Sequence, residues 1–130
     1  MAPYTKATLL GCAGVVCFDA VASVASLALG FPYGFAAIGS FLIYVVVGAA
    51  AVRHSSVGGA ATAGAFVGLA DATVGWAVSW LIGPGRAPPG GLQLSRAVGT
   101  VVAVSLLAGL AAGIGGALNQ KARRPPMAAA

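Results

Sequence analysis

Two residues carry most of the chemistry open to this chain. Asp19 and Asp71 are its only acidic side chains, and each lies inside a long apolar run. A charged side chain at the centre of a bilayer costs at least roughly 2.5 kcal/mol. A carboxyl group there is expected to hold a proton, take up a cation or bond to a neighbouring helix. Tyr44 and Ser105 fall near the middle of two further apolar runs, so four segments can each deliver one polar group to a common layer.

Two functional readings follow. In the first, Asp19, Asp71, Tyr44 and Ser105 form the ion- or proton-binding site of an oligomeric transporter or channel linked to protons or small cations, since intramembrane carboxylates commonly mark such pathways. In the second, the protein is a structural or accessory membrane subunit. The aspartates are then protonated interhelical donors that bond a backbone carbonyl, Tyr44 or Ser105 and fix helix register at about 0.6–2 kcal/mol per bond.

Other chemistry is sparse. His54 stands alone beside Arg53, and Cys12 and Cys17 are five positions apart, about 140° around a helix. Both thiols read as small buried hydrophobes, not as a disulfide or redox pair. There is no nucleophile–base pair, phosphate loop or metal-ligand motif. A non-enzymatic protein without cofactor or metal is expected.

The elements that position the aspartates follow from composition. Of 130 residues, 59% are apolar and 7% charged, against about 25% charged in ordinary soluble domains. Too few charges remain to wet a globule of this size. Four runs reach the roughly 20 residues that cross a hydrocarbon core: 7–29, 34–52, 57–82 and 97–118. They predict an all-α membrane protein, a four-transmembrane-helix bundle forming one domain over 1–120, followed by a disordered basic and Pro-rich tail over 121–130.

The connections carry turn chemistry. Gly30-Phe31-Pro32-Tyr33-Gly34 reads as a tight hairpin, Arg53-His54-Ser55-Ser56 as a short loop, and residues 83–91, rich in Gly and Pro, as a longer one. Phe31, Tyr33 and Phe35 are expected at the outer interface. All seven basic residues lie outside the runs. Lys6, Arg53, Lys121, Arg123 and Arg124 share one side, against Arg86 and Arg96 on the other. That asymmetry predicts a multi-pass protein of the cell (inner) membrane with cytoplasmic N- and C-termini. The lipid bilayer is the expected partner of the basic ends. Because the charges are dispersed and no base-reading motif accompanies them, nucleic acid is not. Lys6 followed by an apolar run and Ala20-Val21-Ala22 has the outline of a cleavable signal, but the run continues to Leu29, which predicts a retained first span.

Small residues recur along single helix faces. Gly64, Gly68, Asp71, Gly75 and Ser79 form one seam; Ser105, Gly109, Gly113 and Ala117 form a second. Ala36, Ser40, Tyr44 and Gly48 form a third, and Asp19, Ser23, Ser26 and Gly30 a fourth. Such seams let helices approach closely in lipid. Gly64, Gly68, Gly75, Ser79, Gly109 and Gly113 are thus candidate packing positions, and leftover seams suggest self-association or a place in a larger membrane complex. Trp76 and Trp80 read as interfacial anchors, with a cation-binding aromatic wall as the alternative.

Superposing Asp19-Ala20 on Asp71-Ala72, 52 positions apart, brings Gly30 and Pro32 near Gly83 and Pro84. The halves can be read as two parallel-repeated helix hairpins or as a chance match of Gly/Ala-rich spans. In length, in four spans and in an acidic first span (Asp19), with Gly30-Phe31 ahead of the second, the chain resembles in outline the small multidrug-resistance exporters. That family has Glu at the first-span position and no second carboxylate like Asp71, and the likeness covers only these residues.

Overall fold

The computed structural model describes residues 3–87 and 93–123 and forms an all-α four-helix bundle. Without water, a spanning backbone must satisfy its own N–H and C=O groups, which an α-helix does within one segment. Helix α1 covers Pro3–Leu29. A 3-10 turn at Tyr33–Phe35 leads into α2, Ala36–Ala51. The third segment comprises α3 (Val57–Ala70), a π turn at Asp71–Gly75 and α4 (Trp76–Ile82), and α5 covers Leu94–Ala122. All four segments are long and apolar enough to cross a membrane.

The helix ends follow local chemistry. Gly30 (φ 71°) and Gly83 (φ 137°) adopt positive φ where α1 and α4 stop, conformations that L side chains rarely tolerate. The Ser26 hydroxyl donates to Phe31 O at 2.7 Å and pins the first hairpin. Ser56 caps α3, its Oγ accepting from Gly59 N–H at 3.1 Å and satisfying one otherwise orphan donor. Helix α5 begins three residues before the expected span and ends four after it. Apolar content marks the hydrocarbon thickness, whereas polar Ser95, Arg96, Asn119 and Gln120 extend the helix into the interfaces. Of the expected disordered tail, Lys121 and Ala122 are helical, and residues 124–130 lie outside the described residues, as do 88–91 of the long loop.

The interior is built from small side chains. Its largest fully buried side chains are Val15, Val67, Ser23 and Ser79, whereas Leu9, Leu27, Ile38, Leu106 and Leu110 are exposed. That distribution suits an apolar solvent, where close backbone approach replaces the expulsion of water as the source of cohesion. A side chain starting at Gly64 would lie 2.6 Å from Ala108 O, and one at Gly68 would lie 3.0 Å from Val104 O. At Gly109 it would meet Ala61 O at 3.1 Å; Gly113 is looser, at 3.5 Å from Ala61 Cβ. Gly48 and Gly115 lock α2 against α5 in the same way, and Asn119 Nδ2 donates across to Ala49 O at 2.6 Å. Cys17 is exposed on the outer face of α1, contrary to its expected burial, and Cys12 is half-buried. The Cys12 thiol lies 3.8 Å from Phe66 O of α3.

This packing is one-sided along α5. Every buried residue of that helix lies from Ala108 onward. The half of α5 nearest the 83–93 connection therefore stands away from the bundle and leaves space beside it.

The uninterrupted third helix expected from the apolar run is instead broken by the π turn. Trp76 N–H bonds five residues back to Asp71 O, and the Thr73 hydroxyl donates to Leu69 O at 2.6 Å. Gly83 is 12 positions after Asp71, whereas Gly30 is 11 positions after Asp19. Pro84 is 13 positions after Asp71 and Pro32 is 13 after Asp19, so the additional residue that a π turn accommodates matches the glycine spacing but not the proline spacing.

Candidate functional site

The π turn brings the two aspartates together. Gly75 closes the turn one face away from Asp71, and its missing side chain makes room for Asp19 of α1. A Cβ at Gly75 would overlap Asp19 Oδ2 and lie 3.2 Å from Asp71 Oδ1. Asp19 is 3% exposed, so its carboxyl group meets Asp71 inside the bundle.

Each carboxyl group has its own tyrosine. Tyr44 of α2 donates to Asp71 Oδ2. Tyr33 donates to Asp19 Oδ1 at 3.1 Å, so its hydroxyl points into the bundle from the 3-10 turn although the residue is expected at the outer interface. The Tyr33 hydroxyl faces the same side of the bundle as Ser23 and Ser79. Three buried oxygens, Asp19 Oδ2, Ser23 Oγ and Ser79 Oγ, have no hydrogen-bond partner among the described residues. They extend the polar layer from Asp19 toward the hairpin loops, between α1 and α4.

A cavity of about 560 Å³ lies above the pair. Its lining includes Asp19, Asp71, Tyr33, Tyr44, Ser40 and Trp76, with Gln93, Arg96 and Thr100 contributed by the splayed half of α5. A second, apolar cavity of about 510 Å³ flanks the same half-helix and shares Ala72 and Trp76 with the first. Of α5, this second cavity touches Val101.

Of the four expected polar groups, Asp19, Asp71 and Tyr44 meet. Ser105 does not join them. Its hydroxyl bonds Val101 O on its own helix at 2.8 Å, and the residue is absent from the cavity lining. A serine within a helix can satisfy itself one turn back, which its depth in the span does not reveal. Among the packing positions, Gly75 and Ser79 border the polar layer, while Gly64, Gly68 and Gly109 face helix backbone.

The two tryptophans differ in surroundings. Trp76 lines the cavity and donates from Nε1 to Gly85 O at 3.0 Å. Trp80 lies under the Arg86 guanidinium, 5.9 Å from its ring centre. Arg86 Nε also donates to Trp80 O at 3.1 Å, satisfying a carbonyl at the end of α4. Tyr33, Phe41, Gln93, Arg96 and Thr100 line the site without having been expected there. The seam positions Ser23 and Ser79 carried a usable signal, one helical turn from Asp19 and Gly75. Tyr33 carried none, because its inward direction is set by the 3-10 turn.

No protein family, curated protein or solved structure matches the chain. Among the described residues, no three His, Cys, Asp or Glu side chains gather as a metal site.

Proposed function

We propose that this chain is a non-enzymatic membrane transporter or channel linked to protons or small cations, with Asp19 and Asp71 as the groups that load and release the ion. The observation that supports it is the meeting of two carboxyl groups from different helices on the floor of a 560 Å³ cavity. Retaining two acids in an apolar interior is costly, and a shared proton or a bound cation offsets their repulsion. Tyr44 and Tyr33 hold the carboxyl groups in place, and the unpartnered Ser23 and Ser79 oxygens offer the next positions for a proton or cation.

In this reading the protein sits in the cell (inner) membrane with both termini cytoplasmic, following the five-to-two distribution of basic residues. The cavity then faces the opposite side. Self-association uses uncovered small positions such as Gly99, which meets nothing within 4 Å.

One observation favours the structural alternative. Each carboxyl group already accepts a tyrosine hydroxyl from another element, which is the bonding expected of helix-to-helix glue. The two readings separate in proteoliposomes carrying an internal pH dye, with sodium or potassium gradients imposed in parallel. The wild type is expected to move protons or cations. Asp19→Asn and Asp71→Asn are expected to lose that flux while eluting from size exclusion as the wild type does. Absence of flux in all three, with normal assembly, rejects transport. Loss of assembly in either variant, together with an inert wild type, supports the structural subunit.

A further inference from the structure

The cavity has opposite charges at its two ends. Asp19 and Asp71 form its floor, and the remaining charged residue in its lining is Arg96. Arg86 is turned elsewhere, over Trp80.

Helix register gives the separation. The Gly68 position faces Val104 O and Ser105 Cα, at 3.0 and 3.1 Å from its missing Cβ. Helices α3 and α5 are antiparallel, and Asp71 is three residues beyond Gly68. It is therefore level with the part of α5 around Val101 and Val102. Arg96 lies five to six residues nearer the hairpin-loop end, about 8 Å at a rise of roughly 1.5 Å per residue. Phe41, Tyr44, Trp76 and Thr100 line the same cavity.

This arrangement discriminates among substrate classes. A simple organic cation seated on the aspartates would face a like charge at Arg96. A simple anion seated on Arg96 would face the two carboxyl groups. Arg96 is exposed whereas Asp19 is buried, so screening is weakest toward the floor, where a second like charge is least tolerated. A molecule carrying both charges gives each end a partner, and charge-assisted contacts of about 2.8 Å at each end let charges a few ångströms apart bridge the floor and Arg96. The volume lies within the roughly 300–1,000 Å³ typical of small-molecule sites.

Resting on the transport reading above, we propose that the cavity binds a small amphipathic zwitterion of the aromatic α-amino acid class. Its ammonium group sits against Asp71 and Asp19, its carboxylate on Arg96, and its apolar side chain along Phe41, Tyr44 and Trp76. The ring faces of Tyr44 and Trp76 also favour an ammonium group nearby.

The test uses the purified full-length chain, radiolabelled L-phenylalanine and two competitors that each lack one charge, 2-phenylethylamine and 3-phenylpropionate. Unlabelled phenylalanine is expected to displace the label at concentrations roughly tenfold or more below either competitor, the loss expected for one charge-assisted pair. Arg96→Gln is expected to abolish the preference for phenylalanine over phenylethylamine, and Asp71→Asn the preference over phenylpropionate. Circular dichroism and elution volume confirm that both variants fold.

Phenylethylamine binding as tightly as phenylalanine, with no effect of Arg96→Gln, overturns the proposal but leaves a cation-linked transporter intact. No phenylalanine binding in a protein that shows aspartate-dependent flux overturns it likewise. Charge-selective phenylalanine binding without any ion flux in liposomes supports the site and rejects the ion-linked transport reading.

Discussion

Alanine at two glycines should have opposite effects, and the structure supplies the reason. At Gly48 the three atoms nearest to an added Cβ are the carbonyl oxygen, carbonyl carbon and Cα of Ala112, all within 2.5 Å. Because these are backbone atoms of α5, no rotamer change relieves the overlap. The helices must separate by about 1 Å, and a gap of that size forfeits roughly a quarter to a half of each van der Waals contact along the seam. Overpacking of this kind costs about 1–3 kcal/mol. The opposing gain is the roughly 0.8–1 kcal/mol by which Ala exceeds Gly in helix propensity. The overlap is with rigid backbone, so the upper part of the cost range applies, and Gly48→Ala should lose about 2 kcal/mol, some 30-fold in the folding equilibrium. Gly14 lies on the same bundle with nothing within 4 Å of its missing side chain. Gly14→Ala should therefore be neutral or gain up to about 1 kcal/mol. Reversible unfolding in mixed detergent micelles, followed by helical circular dichroism, measures both. Equal stabilities for the two variants, or a stabilised Gly48→Ala, would refute backbone contact between α2 and α5.

Two further sets of variants probe the polar layer. Tyr44→Phe and Tyr33→Phe each remove a hydroxyl that donates to one aspartate, and each should cost about 0.6–2 kcal/mol in the same unfolding measurement. Wild-type stability in both would show that the hydroxyls do not hold the carboxyl groups. Ser105→Ala should change stability by less than about 0.5 kcal/mol and leave ion flux unaltered, because the hydroxyl serves only Val101 O on its own helix. A flux defect in Ser105→Ala would return Ser105 to the site.

The comparison of Asp71 with Ser105 shows where legibility ended. Both fall near the middle of an apolar run, and depth along a helix is readable because the rise per residue is constant. Direction around the helix axis was readable only while the helix stayed regular. Along α3 the seam of Gly64 and Gly68 faces α5, but the π turn then shifts the following residues by one position, so Trp76 lines the cavity. Tyr33 lies outside any regular period, and its bond to Asp19 depends on how the first hairpin folds back.

The sequence by itself determined the four apolar helices, their connections and the depth of the two aspartates. Those properties follow from local constraints: backbone groups must be satisfied within each span, turns need Gly and Pro, and charges avoid hydrocarbon. Tertiary structure alone decided that the aspartates meet at Gly75, that each has a tyrosine, that Ser105 is excluded and that Arg96 overlooks the same cavity. These are contacts between distant segments, set by how closely glycine seams let backbones approach. The tight packing of the later half of α5 and the looseness of its first half create the cavity, and that asymmetry arises from pairing between helices.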